Sequence, residues 1–124
     1  VEVRLVSQFC DYLVQKKADK AVGFLNELAD KGFDLQEFAK ALINYLRQAL
    51  IMKIMGLKEA NPIIVGLTKE ELEKLGQQAE SFQEPELRKT LNLFLEAENK
   101  MKYASILQLP LELAIVEATG LTSE

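Results

Sequence analysis

The sequence predicts an all-α fold, a single compact bundle of about six helices spanning residues 1–124. Three observations carry that prediction. Apolar residues recur at i, i+3 and i+4 along most of the chain. Helix-start signals recur at Asp34, Thr68, Pro85 and Pro110. The segment most suited to an extended conformation, Ile63-Ile64-Val65, has no strand to pair with. At 124 residues the chain fits one domain that buries a core without metals or disulfides.

A first helix is expected from Val3 to about Val14, with Leu5, Val6, Phe9, Cys10 and Leu13 on one stripe. Ala18 or Asp19 opens a second, striped by Ala21, Val22, Leu25 and Leu28, and Gly32 follows where a left-handed cap belongs. The two form a short antiparallel hairpin. Asp34 and Glu37 have the spacing of a capping box and start a long third helix through Phe38, Leu42, Ile43, Leu46, Leu50 and Ile54 to Gly56. Tyr45, Ala49 and Met52 widen its apolar face, so it should be buried on more than one side, as a central strut. Residues 56–66 read either as a loop with an apolar anchor or as a short extended piece.

Thr68 and Glu71 form a second capping box, and Leu72, Leu75 and Ala79 give the fourth helix its apolar side as far as about Phe82. Pro85 is placed as the first residue of a fifth helix, striped by Leu87, Leu91, Phe94, Leu95 and Met101. Glu96 with Lys100, and Glu98 with Lys102, are i, i+4 pairs on its solvated face. Pro110 is placed as the first residue of a sixth helix, in which only Glu112 and Glu117 are charged. A frayed tail is expected over residues 117–124.

Composition narrows the function. Fifteen basic residues against nineteen acidic give a net charge of −4, without the electropositive footprint that nucleic acid requires. No apolar run is long enough to span a bilayer, because Lys53, Lys58 and Glu59 interrupt the greasiest region. The first residues do not resemble a signal peptide and look like a domain cut from a longer chain. There is no histidine, hence no common general base or metal ligand. Cys10 is the single cysteine and lies in an apolar stretch between Phe9 and Tyr12, which favours a small buried hydrophobe over a reactive thiol.

The six glycines are scattered singly, without a phosphate-binding loop. The acidic pairs Glu70/Glu71, Glu84/Glu86 and Glu96/Glu98 fall at helix starts or on solvated faces, where capping and solvation explain them. The small basic groups Lys16, Lys17, Lys20 and Arg88, Lys89 are diluted by neighbouring acids. No catalytic, cofactor or metal site is expected in this segment.

What remains is surplus apolar surface, and surplus apolar faces mark protein–protein contacts. The candidate interface residues are Tyr45, Ala49 and Met52 on the third helix, Tyr103 at the end of the fifth, and Leu109, Leu113 and Val116 on the sixth. The segment reads as an interaction domain.

Three segments in order carry a family resemblance. Residues 34–50 include Phe38, Leu42, Leu46 and Arg47 after a hairpin ending in glycine. Residues 95–103 and residues 109–116 then give a helix, an irregular turn and a proline-led helix. Together they resemble the oligomerisation domain, domain III, of the bacterial DNA polymerase III gamma/tau subunit. The resemblance implies a collar domain of the clamp loader, the pentameric ATPase that places the sliding clamp on primed DNA in the cytoplasm. It implies as partners other gamma/tau copies and the delta and delta-prime subunits. ATP and zinc would belong to an N-terminal part of the parent AAA+ ATPase subunit, itself a component of a nucleotidyltransferase holoenzyme. A tau form would continue past Glu124 toward the helicase and the polymerase subunit. Ile106-Leu107-Gln108 departs from the polar turn the family often has before the last helix. The alternative, on the same surplus surface, is a generic intracellular adaptor that binds a partner helix or peptide.

Overall fold

The structure is a computed structural model that describes residues 2–56 and 66–120. Helix α1 (Val3–Val14) turns Leu5, Val6, Phe9, Cys10 and Leu13 inward, the stripe that 3.6-residue periodicity requires. It ends without a glycine. Lys16 takes the left-handed position at φ 60°, and the Lys17 N–H reaches back to the Tyr12 carbonyl at 2.9 Å. The Lys16 ammonium then pairs with Glu86 on α5 (Glu84–Met101), which ties the hairpin turn to the start of that helix.

Helix α2 (Ala18–Asp30) returns along α1 and closes on Gly32 at φ 85°, with the Phe33 N–H donating to the Leu28 carbonyl at 3.0 Å. This is the left-handed cap expected there, at a conformation only glycine adopts without penalty. Helix α3 (Leu35–Met55) begins at Asp34, whose carboxylate accepts the N–H groups of Gln36 and Glu37 at 3.0 and 3.2 Å. The reciprocal half of the expected capping box is replaced, because the Glu37 carboxylate pairs with Lys40 at 3.3 Å. Asp34→Ala should therefore cost about 1 kcal/mol, seen as a lower urea midpoint at unchanged slope.

Helix α3 packs against α1, α4 (Lys69–Ser81) and α5, and so is the strut its doubled apolar face predicts. Thr68 and Glu71 make both halves of the α4 capping box, at 3.1 and 2.9 Å. Helices α5 and α6 (Leu109–Thr119) pack on each other, and α6 also meets α1 and α2. Each starts one residue before the position read from its proline. Pro85 and Pro110 are second in their helices, where the missing N–H is still one of the groups that has no intrahelical partner.

The core gathers around Phe9. Its ring meets Phe38 of α3 edge-on at 5.3 Å, Phe94 of α5 at 6.1 Å and Phe24 of α2 at 6.2 Å. Four helices thus converge on one fully buried side chain. Two stripe assignments need correction. Ile54 and Leu95 are exposed, since each lies at the outer flank of its helix, beyond the reach of the neighbouring helix. The expected frayed tail also starts too early. Residues 117–119 are the last turn of α6, Thr119 is buried with its hydroxyl donating to the Ile115 carbonyl at 2.8 Å, and Gly120 supplies a left-handed cap at φ 71°. Among the described residues there are six helices and no strand. The expectation for residues 57–65, and that for the tail beyond Gly120, lie outside the described residues.

Candidate interaction surface

Helix α6 divides its apolar residues between two sides. Leu111, Ala114 and Ile115 enter the core, while Leu109, Leu113 and Val116, spaced by four and then three residues, form a ridge on the opposite side. Leu113 is 59% exposed and Leu109 43%, and Val116 is half-buried. The helix has two carboxylates, one half-buried and one exposed. Glu112 is the half-buried one and accepts the Asn26 side-chain amide of α2 at 3.1 Å, which leaves Glu117 as the exposed charge.

Further exposed apolar residues precede α6 in the chain. Tyr103, at the end of α5, is 85% exposed, and Ile106 and Leu107 project from the turn before α6. Among the described residues, five of the nine large apolar side chains left in water fall between Tyr103 and Leu113. Solvent-exposed apolar groups spread at random need no explanation, whereas their concentration in one turn and one helix makes this segment the candidate contact surface.

The third-helix candidates do not join it. Tyr45, Ala49 and Met52 are buried inside the bundle, so they are corrected from surface to core. The reason is α4. The Tyr45 hydroxyl donates to Gln78 of α4, and Met52 lines a hollow shared with Gly76 and Ala79. The second apolar side of α3 is used within the chain. Burial also raises the Tyr45 hydroxyl well above the usual phenol range, which keeps it a donor.

The remaining chemistry-bearing groups are accounted for structurally. Cys10 is fully buried, and burial, reinforced by the Asp11 charge and opposed by Lys74, pushes its thiol up to about 12. A thiol held there is not a nucleophile at neutral pH. Glu84 pairs with Arg88 at 2.9 Å and Glu96 with Lys100 at 3.3 Å. Glu98 departs from the expected solvated pair with Lys102. It is half-buried, one of its carboxylate oxygens is out of water without a hydrogen-bond partner among the described residues, and no ion pair joins it to Lys102. Among the described residues no group of three or more His, Cys, Asp or Glu side chains is placed to hold a metal ion, and no helix is long and apolar enough to cross a membrane.

The sequence that folds into these six helices matches a known family. The model for DNA polymerase III subunits gamma and tau, domain III, covers residues 3–123. The chain belongs to that family. No curated protein matches it. In this gamma/tau domain III, Ile106 and Leu107 are surface residues that periodicity did not single out, because they lie between helices. The signal was there in their composition, two large aliphatics where a connecting turn is usually polar.

Proposed function

We propose that this domain is the helical collar of a clamp-loader subunit, the oligomerisation element that holds a pentameric ATPase ring together while the sliding clamp is placed on DNA. The reading rests on one observation above the others: in a gamma/tau domain III, the last helix turns Leu109, Leu113 and Val116 away from the core. Large aliphatic side chains in this arrangement fit the apolar centre of a subunit contact. The partners in this reading are further gamma/tau copies and the delta and delta-prime subunits, in the bacterial cytoplasm. ATP and zinc would be held by other parts of the parent chain, since this segment has no glycine-rich phosphate loop and offers one buried thiol and no histidine to ligate a metal.

The test uses the parent subunit mixed with delta and delta-prime and weighed by native mass spectrometry. Wild type should form the ring assembly, and Leu113→Glu should leave the subunits apart. Full assembly of that variant would remove α6 from the contact.

A further inference from the structure

Helix α4 buries little apolar surface of its own. Leu75 and Ala79 are its buried apolar residues, with Leu72 half-buried beside them and Phe82 following at its end, and it rests on α1 and α3. Polar ties do much of the remaining work. The Gln78 amide donates to the Ser7 carbonyl at 2.9 Å and to the Asp11 carboxylate at 2.8 Å, and its oxygen accepts the Tyr45 hydroxyl. The second Asp11 oxygen takes the Lys74 ammonium at 2.9 Å. Lys53 of α3 donates to the Ala79 carbonyl at 3.1 Å.

Such a contact combines high specificity with a low cost of opening. One shifted turn of α4 would strand the Gln78 amide, Asp11 and Tyr45 together, so the closed register is unique. When the helix lifts off, however, water satisfies every one of those polar groups, and the apolar burial lost is confined to Leu72, Leu75, Ala79 and Phe82 and the side chains they cover, Tyr45 and Met52 among them, while the Phe9 cluster stays closed. The other helices keep the Phe9-centred core, to which the described α4 residues add no aromatic ring.

We infer that α4 is a detachable latch, locked in register by Gln78, which opens as a unit while α1, α2, α3, α5 and α6 stay folded. Opening bares the α3 surface around Tyr45 and Met52 that α4 otherwise covers.

Native-state hydrogen exchange on the 124-residue chain tests this. The amides of Leu75–Ala79 should exchange at least about tenfold faster than those of Phe9 and Phe94, through an opening that depends weakly on denaturant. Ile115→Val, in the core away from α4, should speed Phe9 and Phe94 by roughly two- to tenfold and leave the α4 amides unchanged. Gln78→Ala should speed the α4 amides by roughly ten- to a hundredfold. If the α4 amides exchange with the Phe9 class and follow Ile115→Val, there is no separate opening and the latch is wrong. If Gln78→Ala leaves α4 exchange unchanged, the lock is not Gln78.

Discussion

Phe9→Ala is expected to destabilise the domain by about 3–5 kcal/mol, a large part of the roughly 5–15 kcal/mol that holds a domain folded. The ring is fully buried, and it is the one side chain that touches aromatic rings of α2, α3 and α5 together. Truncation removes its own burial and also leaves those rings lining a void that helices from three directions cannot close at once. Phe33, which is 40% exposed, provides the contrast, and Phe33→Ala should stay within about 0.5 kcal/mol. Urea unfolding of both variants checks the pair. Similar midpoints for the two would mean the core is not centred on Phe9.

Leu113→Glu should do the opposite, sparing the fold and breaking the assembly. The side chain is largely in water in the isolated domain, so a carboxylate there should alter stability by no more than about 0.5 kcal/mol. At the centre of a subunit contact the same carboxylate would be desolvated without a partner, at a cost of about 2 kcal/mol or more, or roughly thirtyfold in affinity. A ring closed through several contacts magnifies such a loss. Circular dichroism of the domain and native mass spectrometry of the mixed subunits read the two effects separately. A variant that unfolds would instead place Leu113 with its neighbour Ala114, in the core.

Local signals made most of the elements legible. The α1 stripe, the Asp34 cap, the Thr68–Glu71 box and Gly32 each depend on residues within a few positions of one another, and the structure reproduces them with small shifts. The one-residue offsets at Pro85 and Pro110 arise because the first and second helical N–H groups are equally free, so proline fits either place. Long-range packing was not legible. Periodicity showed that α3 had apolar residues to spare, but not that α4 would cross it and cover Tyr45 and Met52 from within. Gln78 gave no signal at all, since a glutamine in mid-helix is ordinarily solvated and only the approach of Ser7, Asp11 and Tyr45 buries it. Glu98 reads as surface by spacing for the same reason.

The candidate surface divides along that line. The outward residues of α6 followed from a helix with too few polar positions to cover its circumference, whatever it packed against. Those of α3 required knowing the neighbour.

The most direct test of the α6 contact uses the chain's own chemistry. Cys10 is the single cysteine and is fully buried, so Leu113→Cys adds one accessible thiol to this domain. Its rate of maleimide labelling, measured at that residue by peptide mass, is compared in the free parent subunit and in the assembly with delta and delta-prime. The collar reading predicts labelling at least about tenfold slower once the ring has formed, as water is excluded from the centre of a contact. Equal rates in the two states would contradict it.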